Sequence, residues 1–323
     1  MSDQQLSMSI IQAQIVKLER LTGEVNLIRL ALPDGPEGLP SATAGSHIAV
    51  HIPGIGTRHY SILNPGVGEG GYDIAVKREE NGRGGSRWMH DVLRIGQVLE
   101  IEAPRNNFPL EEDASHSVLI AGGIGITPLL AMKRRLEELG RSFALHYAAR
   151  SPEHCLFRAQ LADQPNVRLH VDTQAGGPLP VERILREAPS NAHVYCCGPA
   201  PLLEAFLAGC SANGIGKERA HLERFTAGPA EHGQSDSFVV ELARSGGRYA
   251  IPPNRSILDV LLEAGIQVPF SCEEGICGTC ATPVREGIPD HRDWVLREDE
   301  KRANDVMMLC CSRSLSDCLV LDI

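Results

Sequence analysis

The stretch SCEEGICGTC (Ser271–Cys280) sets three cysteines within nine positions. Thiols this close can form a disulfide staple, a zinc clamp or a redox centre. Four residues separate Cys272 from Cys277, two separate Cys277 from Cys280, and 29 separate Cys280 from Cys310. Structural zinc sites usually pair cysteines as two short knuckles, C-x2–4-C each. Here three come from one loop and a fourth from far downstream. Gly275, Gly278 and the small Thr279 allow unusual dihedrals and close backbone approach to an anionic group. The N-terminus, MSDQQLSMSI, lacks a basic segment followed by an apolar one, and no apolar run nears the roughly 18 residues that span a bilayer. A cytoplasmic chain is therefore expected, and disulfides are rare there.

The order C-x4-C-x2-C…C is the spacing of plant-type [2Fe–2S] clusters, with zinc as the alternative. Backbone N–H groups aimed at the sulfurs tune such a centre. Cys272, Cys277, Cys280 and Cys310 are the expected ligands. Cys311 is the competitor for the fourth place; the spacing and the context MMLCCSRS favour Cys310, and Cys318 falls outside the set. The last segment thus resembles a plant-type ferredoxin, which implies a β-grasp fold. Cys155 and Cys210 stand alone and read as small buried hydrophobes.

With 323 residues, 42% hydrophobic and 22% charged, the chain suits about two or three globular domains. Its net charge of −10 argues against nucleic acid and anionic membranes. The charge is uneven: residues 236–323 carry 15 Asp and Glu against 9 Lys and Arg, a net −6.

The first hundred residues alternate as half-buried strands do, at Ile28, Leu30, Leu32 and at Ile48, Val50, Ile52. Frequent Gly and Pro between them suggest a small antiparallel barrel. From Ser117 the pattern changes. SVLIA is a strand covered on both faces; GGIGITP follows; then Leu129, Met132, Leu136 and Leu139 mark a helix that Gly140 ends. FALHYAA (143–149), VRLHV (167–171) and HVYCC (193–197) alternate with helical segments, so a parallel sheet is expected. FVVELA and RYAI flank a Ser245–Gly247 hairpin turn, and Ser256 with Asp259 reads as a capping box. The expected division is 1–110 barrel, 111–226 nucleotide domain, 227–236 linker and 237–323 ferredoxin domain.

RHYSILNP (Arg58–Pro65) is by itself a strand with one arginine. It resembles the R-x-Y-S flavin motif of the ferredoxin–NADP reductase superfamily. The resemblance implies that Arg58 meets the flavin phosphate, Tyr60 packs on the ring and Ser61 hydrogen-bonds near N5, with His59 inside the motif. Each role suits its chemistry: a guanidinium grips phosphate bidentately, an aromatic face stacks, and a hydroxyl both donates and accepts. In IAVKREENGRGGSRWMHD (Ile74–Asp91), Lys77 and the Gly84-Gly85-Ser86 turn join that site, the turn offering N–H groups to a mononucleotide phosphate. The pattern therefore resembles the FMN branch rather than the FAD branch.

AGGIGITP (Ala121–Pro128) is not G-x-G-x-x-G, because Pro128 holds the third glycine's place. In the superfamily this turn opens the nicotinamide nucleotide domain. That implies Gly122, Gly123, Gly125 and Thr127 at the dinucleotide, and Cys197, Gly198 and Pro199 of YCCGPAPLLEA beside the nicotinamide. Ser61 and Cys197 are then the residues at the reacting atoms. Cys196 reads as a buried strand residue. Phe225, closing HLERF, is a flavin-side candidate or else a core residue before the linker.

Barrel, nucleotide domain and ferredoxin in this order resemble the phthalate dioxygenase reductase type, the single-chain reductases of Rieske oxygenase systems. The resemblance covers nearly the whole chain. It implies that NADH gives two electrons to FMN, and that a [2Fe–2S] cluster passes them singly to a separate terminal oxygenase. No Rieske Cys/His pairs or 2-His-1-carboxylate set is evident in this sequence. A diiron monooxygenase or a cytochrome as acceptor, and a redox sensor, are the rival readings. An acidic residue after the second strand would bind the ribose of NADH. Arg150-Ser151 follows instead, which suits the phosphate of NADPH; the resemblance favours NADH.

Overall fold

A computed structural model describes residues 10–33, 35, 39–65, 70–225, 237–253, 255–270, 273, 275, 278–296 and 298–323. Contacts divide the chain into two compact units, Met1–Arg224 and Phe225–Ile323. The expected linker and two expected ligands, Cys272 and Cys277, lie outside the described residues.

The first unit holds two sheets. Strands β1 (Ile10–Arg20), β2 (Val25–Ala31), β3 (His47–Ile52), β4 (Gly56–Ser61) and β5 (Tyr72–Lys77), then helix α1 (Gly85–Asp91) and β6 (Val98–Glu102), build an antiparallel sheet ordered β4-β3-β6-β1-β2-β5. It curls toward closure where Ile62 bridges Ile74 and Leu63 N donates to Asp73 O at 2.9 Å. Ile28, Leu30, Ile48, Val50, Ile74 and Val76 fill its interior. The alternate residues are not simply solvent-facing. Val25, Leu27 and Ala75 pack into a core shared with the second sheet. Alternation in β2 thus separates two cores rather than inside from outside.

The second sheet is parallel, ordered β11-β10-β7-β8-β9. In chain order it runs β7 (Ser117–Gly122), α2 (Ile126–Glu138), β8 (Phe143–Ala149), α3 (Arg158–Leu161), β9 (Val167–Val171), α4 (Asp172–Ala175), α5 (Val181–Glu187), β10 (His193–Cys197), α6 (Ala200–Ala212) and β11 (Ala220–Glu223). Strand β7 is buried throughout, as its unbroken apolar run requires. In α2, Leu129, Met132 and Leu136 are fully buried, but Leu139 is exposed. The helix has already ended there. Gly140 takes φ 62°, and its N–H and that of Arg141 return to the carbonyls of Glu137 and Leu136, a Schellman closure that turns Leu139 outward.

The second unit carries β12 (Phe238–Leu242), β13 (Arg248–Ile251), α7 (Ile257–Glu263), β14 (Ala281–Glu286), β15 (Pro289–Asp290), α8 (Glu298–Ala303), β16 (Val306–Met308), β17 (Arg313–Ser314) and β18 (Cys318–Leu321). Its main sheet is ordered β13-β12-β18-β14-β16, with β12 and β18 parallel. Helix α7 starts as its sequence asks: Asp259 N donates to Ser256 Oγ at 3.0 Å and Ser256 N to Asp259 Oδ2 at 3.1 Å. Ile257, Leu258 and Leu261 bury its inner face. Among the described residues, no helix is long and apolar enough to cross a membrane.

Candidate functional site

Strand β4 carries Arg58, His59, Tyr60 and Ser61, and α1 brings the glycine turn beside it. Gly84 takes φ 86°, which favours glycine. A Cβ on Gly85 would meet Arg58 Cγ and Nε at 3.0 Å and Ile52 Cδ1 at 3.1 Å, so the turn lies flat on the arginine stem. Arg58 Nη1 donates to Thr57 O at 2.7 Å and Nη2 to Arg83 O at 3.3 Å. The Arg87 guanidinium reaches within 3.8 Å of a Cβ built on Gly84. Three arginines thus gather at one turn.

Burial pushes the Tyr60 phenol up to about 12, against the pull of Arg58, so it stays neutral. His59 stands edge-on to His47 with centroids 5.1 Å apart. Ser61 is 6% exposed, and its Oγ is buried without a hydrogen-bond partner. An orphan hydroxyl of this kind costs about 1–3 kcal/mol unless something meets it. Lys77 and Ser86 are occupied within the loop: Lys77 Nζ lies 2.7 Å from Glu79 Oε1, and Ser86 Oγ accepts from Glu79 N at 3.0 Å.

The strand order of the parallel sheet reverses at β7, whose neighbours are β10 and β8. Ligands bind at such a switch point, beyond the carboxyl ends of the strands. Three glycines explain how the two loops fit there. A Cβ on Gly125 would lie 2.2 Å from Cys197 O; one on Gly198 would lie 3.1 Å from Gly122 N; one on Gly122 would lie 2.7 Å from Leu202 Cδ2. These glycines serve loop-on-loop contact. Only Gly123, at φ 55°, has open space where a Cβ would be. Thr127 is buried and its hydroxyl donates to Ile124 O at 3.0 Å, bracing the turn.

Cys197 ends β10 at 1% exposure, next to Gly198 and Pro199. Its sulfur lies 4.0 Å from Glu223 Oε2 on the neighbouring β11. Burial pushes the Cys197 thiol well up, with Glu223 and Cys196 adding to it. Burial also pushes the Glu223 carboxyl up to about 8. At neutral pH both groups therefore hold their protons. Sequence reading passed over Glu223; its signal was its place two residues before Phe225. Cys196 is fully buried in the strand, as expected. Phe225 is 37% exposed, so it is not the core residue that one reading proposed.

In the second unit, β14 and β16 pair antiparallel with Ala281 opposite Met308, and Leu309 N donates to Cys280 O at 3.3 Å. This register sets Cys280 and Cys310, 3% and 9% exposed, at adjoining strand ends within one apolar core. Gly275 and Gly278 take φ 70° and 75°. A Cβ on Gly275 would strike Cys311 Sγ at 2.5 Å, so the loop passes directly over the competitor thiol. Cys155 and Cys210 are buried within apolar clusters.

A flavin barrel, a switch-point crevice and a cysteine-bearing β-grasp domain together make an oxidoreductase of the flavin and iron–sulfur class. The comparisons agree. Residues 12–109 match the oxidoreductase FAD-binding domain model, and residues 240–315 match the 2Fe-2S iron-sulfur cluster binding domain model. The chain is 46% identical to phenoxybenzoate dioxygenase subunit beta of Ectopseudomonas oleovorans over 89% of each chain. It is 39% identical to phthalate dioxygenase reductase of Burkholderia cepacia over 97% of each. A solved phthalate dioxygenase reductase superposes with TM-score 0.74 at 38% identity over 98% of both chains. An intact type IV self-sufficient cytochrome P450 monooxygenase superposes with TM-score 0.84 at 34% identity, covering 97% of this chain and 41% of that one. The chain belongs to the phthalate dioxygenase reductase family.

Proposed function

We propose that the chain takes two electrons from NADH onto FMN and hands them singly, through a [2Fe–2S] cluster, to a separate terminal oxygenase of Rieske type. FMN would be held by Arg58, His59, Tyr60, Ser61, Lys77, Gly84, Gly85 and Ser86. NADH would be held by Gly122, Gly123, Gly125, Thr127, Cys197, Gly198 and Pro199, and Phe225 is a candidate on the flavin side. Cys272, Cys277, Cys280 and Cys310 would hold the cluster. The working division is 1–110, 111–226 and 237–323, joined by 227–236.

The observation that carries this reading is Ser61: a buried hydroxyl without a partner, three residues from an arginine on which a glycine turn lies flat. The arginines bind and orient a phosphate. The Ser61 hydroxyl is set to hydrogen-bond a ring nitrogen that gains a proton. The protonated Cys197 and Glu223 bring no negative charge to the place where nicotinamide would lie. The bound groups supply the electron chemistry: the flavin exchanges pairs, the cluster single electrons.

The test is to purify the protein, weigh the extracted flavin, count iron and compare NADH with NADPH. FMN, two irons per chain and NADH are expected. FAD, a colourless zinc protein or strict NADPH use would each overturn the corresponding part. The fused cytochrome P450 relative supports a second acceptor, a haem monooxygenase. Side-by-side turnover with a purified Rieske oxygenase and a purified P450 separates the two. The −6 ferredoxin end suits a basic patch on either acceptor. A transfer rate indifferent to ionic strength would refute that docking mode.

A further inference from the structure

The switch point has two sides, one toward β10 and one toward β8. At the end of β7, Ala121 is in register with Cys197 on β10, and Gly122 with Ala148 on β8. The segment after β8 is therefore level with the open Gly123 turn. A dinucleotide crossing that turn with its nicotinamide toward β10 must lay its other nucleoside toward β8.

There the chain reads RSPEH (Arg150–His154), and Pro152–His154 form a single 3-10 turn. The turn folds Glu153 back onto Ser151, whose hydroxyl donates to the Glu153 carboxylate. Ser151 Oγ also lies 2.8 Å from His154 Nδ1. The Ser151 bond, followed by the backbone N–H of Glu153, holds this exposed carboxyl below the usual range, so it is ionised at every working pH. In the sequence alone, Arg150-Ser151 suits a phosphate. The turn instead delivers a fixed anion to that place.

We propose that Glu153 is the residue that selects NADH over NADPH, accepting the hydroxyls of the adenosine ribose and repelling a 2′-phosphate. This rests on the reading that the crevice binds a nicotinamide dinucleotide. The charges of His154 and Arg158 act on the carboxylate. With Glu153 neutralised, these groups would welcome the phosphate instead.

The experiment uses the intact holoprotein and the Glu153→Gln, Glu153→Ala and Glu153→Asp variants. Dissociation constants of NAD+ and NADP+ are measured by calorimetry, and kcat/KM for NADH and NADPH by cytochrome c reduction. The wild type should prefer the unphosphorylated nucleotide in both measurements. Glu153→Gln and Glu153→Ala should each shift that preference toward the phosphorylated one by roughly tenfold or more, and Glu153→Asp should keep much of it. The residue is exposed, so thermal melts should match the wild type. An unchanged preference in Glu153→Gln, or a wild type that favours NADP+, would overturn the proposal and leave the nucleotide-binding reading standing. Binding of neither nucleotide would instead bring down that reading, and this proposal with it.

Discussion

At Arg83–Ser86 the glycines stand beside three arginines at the surface of the barrel; at Gly122–Pro128 they are pressed between two strand ends with no charge among them. Both turns are glycine-rich and both open a helix. In the first, Gly84 is needed for its positive φ, and Gly85 for contact with a flexible arginine stem. In the second, Gly125 and Gly198 are needed because backbone meets backbone. The difference teaches that one sequence signature can arise from two physical causes. A turn that gathers cations suits an anion. A turn that admits no Cβ is built first for packing, and its ligand surface is what the packing leaves open.

Substitutions in the packed turn should have the largest effect on stability. In Gly125→Ala the new Cβ would lie 2.2 Å from Cys197 O, and no side-chain rotation relieves a clash with backbone. Overpacking of this severity costs about 3 kcal/mol. Thermal unfolding should show a clear fall in Tm. Gly123→Ala should cost only about 1 kcal/mol, from its left-handed backbone alone. Equal losses at the two positions would mean that packing does not distinguish them.

In the charged turn the effect should move from stability to ligand retention. Arg58→Gln keeps the stem on which Gly85 rests but removes the charge. Charge-assisted hydrogen bonds contribute about 1.5–3 kcal/mol, so flavin should be held at least roughly tenfold more weakly. Fluorescence of released flavin on dilution measures this, and the Tm of flavin-free protein should hardly move. A variant that kept its flavin would remove Arg58 from the site.

How much of this was legible beforehand follows the same divide. Features with a local cause were readable: the capping box at Ser256, the buried run of β7, the helix stop at Gly140. Features whose cause is a distant partner were not. Nothing in VNLIRLA says that Leu27 faces another sheet while Ile28 faces the barrel. Nothing in GGIGITP says that Gly125 meets Cys197, some seventy positions away. Glu153 was hidden by a short turn, and Glu223 by lying on an edge strand beside a thiol it follows by 26 residues.

Strand β11 offers a smaller, pH-dependent test of the packed side. Glu223 ionises near pH 8 in the fold and near 4.5 when unfolded. Between those values unfolding releases a proton, so its contribution to stability falls as pH rises from 4.5 to 8. His221, on the same strand, is lowered from 6.5 to about 4, first by burial and then by His193. Unfolding then takes up a proton below 6.5, and stability falls as pH drops from 6.5 to 4. Glu223→Gln should flatten the fall between pH 6.5 and 8 and uncover the opposing His221 slope below 6.5. The strand is only partly buried and solvent screens its charges, so about 1–2 kcal/mol is expected across the window. Tm measured at pH 6.5 and 8.5 in the wild type and the variant reads it directly. A slope that survives the substitution would assign it to another group.

Ser61→Ala should disturb the fold least. Its hydroxyl has no partner to lose, and removing an unsatisfied buried polar group is nearly neutral or slightly stabilising. A Tm within experimental error of the wild type is therefore expected. Reduction of the bound flavin by NADH should nonetheless slow by roughly tenfold, the effect of one positioned hydrogen bond on a reacting centre. A fall in stability with no change in that rate would show that the hydroxyl is structural. The charged turn would then be a binding device only, with the reacting end of the flavin governed from the packed side of the crevice.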